Sequence, residues 1–146
     1  MTPRRFALTP PEAAEQDLHE AVARVLGLEL APPVEWTTFP AGSVPLPAQF
    51  ASKLARMGLH PGWPDLLVLH GVLHGIELKR PGGVLSRTRM LRTRRGGLRR
   101  VEGQEDVFPR LAAAGMQIGI ARSVAEVLAL LDAWHVPRAR RVRIAA

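Results

Sequence analysis

The chain has 146 residues, no cysteine, an apolar fraction of 47% and a net charge of +7. That length suits one domain with a single core, which is typically built from about 100 to 150 residues. The lack of cysteine excludes disulfides, thiolate metal sites and cysteine nucleophiles, so any metal must be held by oxygen or imidazole.

The N-terminal segment carries Arg4 and Arg5 and then meets Pro10, Pro11 and Glu12 instead of an apolar signal core. No apolar run approaches the roughly 20 residues needed to cross a bilayer. A soluble, cytoplasmic protein without a membrane partner is expected. Thr9 to Leu26 reads as a helix opened at Thr9 or Pro10, with acids in its first turns. Leu18, Val22, Val25 and Leu26 form its apolar stripe, and Gly27 is expected to end it or to begin its unwinding. Val34 to Phe39 has strand composition and is closed by Pro40-Ala41-Gly42. Ala48 to Met57 predicts a short helix ending at Gly58, and His60-Pro61-Gly62-Trp63-Pro64 a rigid turn.

Two apolar runs follow, Leu66 to Leu69 and Val72 to Leu78, separated by His70-Gly71 in the pattern of a tight hairpin. Residues 80 to 101 are rich in glycine and arginine without clear periodicity, which predicts an extended, mobile loop. Glu102 to Ala114 resumes a helical pattern, in which Pro109 argues for a kink or a later start. Met116 to Ala121 is a short strand, and Ser123 caps a last helix through Trp134, with Ser-Val-Ala-Glu matching a capping box. The sum is a mixed α/β domain over 1–134, with an arginine-rich insertion at 87–100 and a basic tail at 135–146.

The charge is concentrated in those two appendages. Arg87, Arg89, Arg92, Arg94, Arg95, Arg99 and Arg100 occupy the insertion without an acid among them, and Arg138, Arg140, Arg141 and Arg143 follow in the tail. The remaining nine basic residues face thirteen acids, a net of −4. Arginine forks match phosphate oxygens, so a polyanion partner is expected; on charge alone DNA, RNA and an anionic membrane all remain open. The arginine segments lack the regular apolar face that a membrane-surface role needs.

The chemistry-bearing residues gather on the central hairpin. With its turn near Gly71 or Val72, Asp65 is expected opposite Lys79 and residue 67 opposite Glu77. Glu77 and Lys79 share one face while Ile76 and Leu78 point into the core. Charged groups inside an apolar strand need compensation by an ion pair or a bound cation. Two carboxylates with a main-chain carbonyl suit Mg²⁺, and a lysine beside them suits phosphodiester hydrolysis. A structural ion pair at a sheet edge fits the same spacing.

Beyond that triad, Gly62-Trp63-Pro64-Asp65-Leu66-Leu67 followed by Ile76-Glu77-Leu78-Lys79 resembles the VRR-NUC branch of the PD-(D/E)xK nucleases. The likeness spans roughly Glu15 to Trp134. Glu15-x-x-Leu18-His19-x-x-Val22 is similar to the opening helix of that family, which contributes an acid to the active site. Trp36-Thr37-Thr38-x-Pro40-Ala41-Gly42 and Lys53-Leu54-x-x-Met57-Gly58 resemble the next two blocks. The family then has a Ser-x-x-Gln helix start, with a leucine seven and a glycine eleven residues after the glutamine; Gln104, Leu111 and Gly115 keep that spacing. One departure stands out, because Leu85-Ser86 is separated from Gln104 by the arginine-rich segment: either that segment is an insertion that grips nucleic acid beside the active site, the favoured reading, or Gln104 is not the equivalent glutamine.

The resemblance implies a restriction-endonuclease-like core with a mixed central sheet flanked by helices. It implies a DNA endonuclease dependent on Mg²⁺ or Mn²⁺, with Asp65, Glu77 and Glu15 as metal residues, Lys79 polarising the nucleophile and Gln104 positioning it. It further implies a homodimer acting on branched DNA. The alternative is a non-catalytic basic nucleic-acid-binding protein in which the acids are structural. His19 reads as a supporting core histidine, His60, His70 and His74 as turn residues, and the three tryptophans as packing anchors, with Trp63 also placed to touch a nucleotide.

Overall fold

A computed structural model of the chain describes residues 11–39 and 47–139. The expected helix opening at Thr9 or Pro10, the Pro40-Ala41-Gly42 turn and tail residues Arg140, Arg141 and Arg143 lie outside the described residues. Ten elements follow in order: α1 (Pro11–Glu29), β1 (Glu35–Thr38), α2 (Ala48–Arg56), β2 (Leu66–His70), β3 (Val72–Leu78), β4 (Arg89–Arg92), β5 (Leu98–Val101), α3 (Gln104–Ala113), β6 (Gln117–Ala121) and α4 (Val124–Ala133). The class is mixed α/β. One four-stranded sheet runs β1-β2-β3-β6, antiparallel except for the parallel pair β3 and β6, and β4 and β5 form a separate two-stranded ribbon.

Alternation along the strands builds the core. Leu66 and Val68 pair with Ile76 and His74, and this face meets Val22 and Leu26 of α1 and Val127, Leu128 and Leu131 of α4. Burying each large aliphatic side chain contributes roughly 1.5 to 3 kcal/mol, so this layer supplies the main hydrophobic stabilisation. His74 is therefore a core residue rather than a turn residue: only 2% exposed, it places Nδ1 3.2 Å from the Val68 carbonyl and its ring 5.0 Å from Trp134.

Three local expectations are revised. α1 runs through Gly27 to Glu29, because a helix-interior glycine costs only about 1 kcal/mol and the extra turn buries Glu29 and Leu30 completely or nearly so. Second, the segment expected to be a structureless loop contains β4 and β5, paired from Arg89↔Val101 to Arg92↔Leu98. Third, α3 starts later than the pattern suggested, at Gln104, with Pro109 five residues inside it. Ser123 does cap α4, accepting the Glu126 N–H at 3.1 Å, but Glu126 reaches back to the N–H of Arg122, one residue before the cap.

Packing continues past residue 134. Val136 is 3% exposed and belongs to the core, and Arg138 meets Asp132 at 3.0 Å and the fully buried Glu29 at 3.6 Å. Arg138 thus fastens the segment after α4 to α1 and α4 instead of standing in a free basic tail. Among the described residues no helix is long and apolar enough to cross a membrane.

Candidate active site

The β2–β3 hairpin turns on Gly71, pairing Leu66 with Ile76 and Leu67 with Gly75. Carried back one residue, this register sets Asp65 across from Glu77. The expected pairings, Asp65 with Lys79 and residue 67 with Glu77, are off by two residues because the turn is tighter than assumed. A two-residue shift preserves which face each side chain occupies, so the polar groups still gather at one end of the sheet. Asp65 is fixed there by the Leu78 N–H, which donates to its Oδ2 at 2.8 Å, and Lys79 by its own N–H, which donates to the Ala121 carbonyl at 3.0 Å.

Glu77 is the centre of the arrangement. It is 2% exposed, and its Oε1 receives both the Lys79 ammonium at 2.8 Å and the Gln104 Nε2 at 2.6 Å. Its Oε2 is buried and has no hydrogen-bond partner among the described residues. Burial, followed by the nearby charge of Asp65, pushes the carboxyl up from the ordinary 4.5 to about 7, against the opposing pull of Lys79 and Gln104. The Glu–Lys ion pair that the spacing allowed is formed, and it lies on an interior strand rather than a sheet edge.

Gln104 reaches Glu77 because its own position is doubly set. Its backbone N–H donates to Ser86 Oγ at 3.0 Å, and its Oε1 accepts the Ser86 N–H at 3.2 Å. The serine that precedes the arginine-rich segment therefore caps α3 from a distance. Thr88 completes this clasp: its hydroxyl accepts the Gly103 N–H at 3.0 Å and donates to Asp106, and its N–H donates to Glu105 at 3.3 Å. Gly103 leaves room for it, since a Cβ there would stand 2.3 Å from the Arg87 carbonyl carbon and 2.4 Å from the Ser86 oxygen. Sequence reasoning missed Thr88, Gly103, Glu105 and Asp106 as site supports. The available signal was a glycine directly before the candidate glutamine.

Glu15 sits at the margin. Its Oε1 lies 3.4 Å from the Arg80 N–H, just beyond Lys79. Asp65, Glu77, Lys79 and Gln104 are brought together, with Glu15 beside them rather than joined to them. No three His, Cys, Asp or Glu side chains among the described residues form a group that could hold a metal ion. The oxygen donors present nevertheless suit a hard cation, because the unpartnered buried Oε2 of Glu77 is a group that burial penalises until something positive or hydrogen-bonding meets it. His19 lies one turn beyond Glu15, its Nε2 3.2 Å from Thr38 Oγ1. Trp36 and Trp134 pack against the core, whereas Trp63 lies 5.5 Å from the ring of Phe39.

The seven arginines of the segment 87–100 are not equivalent. Arg87 and Arg100 at the ribbon's root stand 3.9 Å and 3.5 Å from Glu105 and Asp106. Among the described residues no ion pair engages Arg89, Arg92, Arg94, Arg95 or Arg99, and all five are exposed. Comparison of the chain with protein-family models, curated proteins and solved structures finds no match.

Proposed function

We propose that this chain is a cytoplasmic nuclease of the PD-(D/E)xK type, of the VRR-NUC branch its motifs resemble, which hydrolyses DNA phosphodiester bonds with Mg²⁺ or Mn²⁺. The observation that carries this reading is the convergence on Glu77. A carboxylate is buried with one oxygen bonded by Lys79 and Gln104 and the other unpartnered, and a second carboxylate, Asp65, approaches it across the hairpin. A purely structural Glu–Lys pair would be expected to satisfy both oxygens.

In this reading Asp65 and Glu77 hold the cation together with a main-chain carbonyl, and Glu15 assists from α1. When bound, the cation neutralises phosphate charge and acidifies water at neutral pH. Lys79 orients the attacking water and offsets the charge developing on the phosphate. Gln104, bonded to Glu77 Oε1, would keep that carboxylate in place with its other oxygen left for the cation. The four-stranded sheet with its helices serves as the restriction-endonuclease-like core, and the resemblance extends the proposal to a homodimer acting on branched DNA.

Incubation of the purified protein with labelled single-stranded, duplex, flap and four-way-junction DNA tests the proposal. Cleavage with Mg²⁺ or Mn²⁺ and none with EDTA is expected. Tight DNA binding without cleavage under any metal would instead identify a non-catalytic nucleic-acid-binding protein.

A further inference from the structure

Among the described residues the β4–β5 ribbon shares no strand pairing with the four-stranded sheet, and the contacts that fasten it lie at its root, where Ser86, Thr88, Arg87 and Arg100 meet Gly103, Gln104, Glu105 and Asp106. Its tip is a built turn. The Thr93 N–H donates to the Gly97 carbonyl at 2.8 Å, the Gly96 N–H to Thr93 O at 3.0 Å and the Gly97 N–H to Thr93 Oγ1 at 3.1 Å. Gly96, at φ +81°, closes this three-residue loop as a glycine bulge. Arg94 and Arg95 therefore occupy its two corners, exposed, with Arg92 and Arg99 just behind them. One face of the ribbon also presents Met90 and Leu98, 56% and 66% exposed.

We propose that the β4–β5 hairpin is a double-stranded-DNA arm: Arg94 and Arg95 enter the major groove while Arg92 and Arg99 meet the flanking phosphates. The proposal deepens the nuclease reading and rests on it for the DNA that the arm holds beside Glu77. Three observations favour duplex over other polyanions. Strands about 4.8 Å apart make a ribbon that a groove about 12 Å wide admits, and four strand residues reach roughly 13 Å, beyond the groove's depth of about 8.5 Å. Arginine forks suit both guanine edges and phosphates, and Met90 and Leu98 suit thymine methyls. Residues 80 to 107 hold no aromatic side chain, whereas single-strand grips rely on stacking. Because the root is bonded to Gln104, the arm sits at a fixed offset from Glu77.

The test compares wild type with Arg94→Gln/Arg95→Gln, a change confined to exposed turn positions. Fluorescence anisotropy in EDTA measures binding to a 20-base-pair labelled duplex, to one of its strands and to phosphatidylserine vesicles, across a salt series. Duplex affinity is expected to fall at least ten-fold while single-strand binding changes less than three-fold; the companion variant Arg92→Gln/Arg99→Gln, which removes the phosphate contacts, should lower the salt slope of log K on duplex by about 1 to 2. Equal losses on strand and duplex, an unchanged duplex affinity, or a loss confined to vesicles would each overturn the proposal. No metal is present, so failure of the nuclease reading would not mimic failure of the arm.

Discussion

Ser86 and Gln104, 18 residues apart in sequence, hold each other at two points: the serine hydroxyl accepts the glutamine backbone N–H, and the glutamine side-chain oxygen accepts the serine backbone N–H. The 17 residues between them rise as a ribbon and return to the same place, so the segment that separates the two in sequence leaves them together in space. Ser86→Ala removes the remote cap of α3, which typically costs about 1 kcal/mol. A fall in thermal midpoint of a few degrees is expected, restored by Ser86→Thr, while cleavage stays near wild type because the Ser86 backbone N–H that holds the Gln104 side chain survives the change. A midpoint equal to wild type would mean that α3 is capped by other contacts.

Gly103 carries the ribbon's root. Its φ of −93° suits any residue, so the constraint is steric: the missing Cβ would collide with backbone atoms of Arg87, Ser86 and Thr88, which cannot move aside as a flexible side chain can. Gly103→Ala is expected to destabilise by about 1 to 3 kcal/mol or more and to impair cleavage more than Gly96→Ala at the distant tip. Denaturant midpoints with equal slopes check the first part. A stable, fully active Gly103→Ala protein would show that root and helix are not packed as described.

The raised carboxyl of Glu77 makes stability depend on pH. Without metal the folded protein holds this proton to about pH 7, while the unfolded chain loses it near 4.5. The contribution of this group is therefore fully present below about 4.5 and is lost as pH rises through about 7, a change on the order of 3 kcal/mol. A cation takes the ionised form, so Mg²⁺ should raise the thermal midpoint more at pH 8 than at pH 5.5. Paired thermal scans in EDTA and in Mg²⁺ measure this. An equal Mg²⁺ effect at both pH values would exclude Glu77 as the linked group.

Lys79→Ala separates charge from ligand. The variant keeps Asp65 and Glu77, so calorimetric cation affinity should stay within a few-fold while single-turnover cleavage falls by at least about a hundred-fold. Retained cleavage would mean that the ion pair with Glu77 is the lysine's whole role.

Much of this was legible before the structure. Leu66 to Leu69 and Val72 to Leu78 are apolar runs broken by one glycine turn, and the alternation beyond Ile76 placed Glu77 on the face opposite the core. The register was not legible, because pairings two residues apart put every side chain on the same face. The ribbon was hidden for another reason. Its strands expose arginine on both faces, so no hydrophobic alternation marks them, and Arg94-Arg95-Gly96-Gly97 reads as loop. Gly27 is a local stop signal overridden by distant contacts, since the last turn of α1 buries Glu29 against Arg138, over a hundred residues away.

Glu77→Gln tests the central claim most directly, because it preserves shape and the Gln104 contact region while removing the buried charge. Single-turnover cleavage of labelled duplex and junction DNA is measured in saturating Mg²⁺, beside calorimetric Mg²⁺ binding by the same preparations. Wild type should cleave and bind the cation, whereas Glu77→Gln should be folded, retain DNA binding and show neither activity. Wild-type-like cleavage in Glu77→Gln, or no cation-dependent cleavage by the unaltered protein on any of these DNAs, would contradict the assignment.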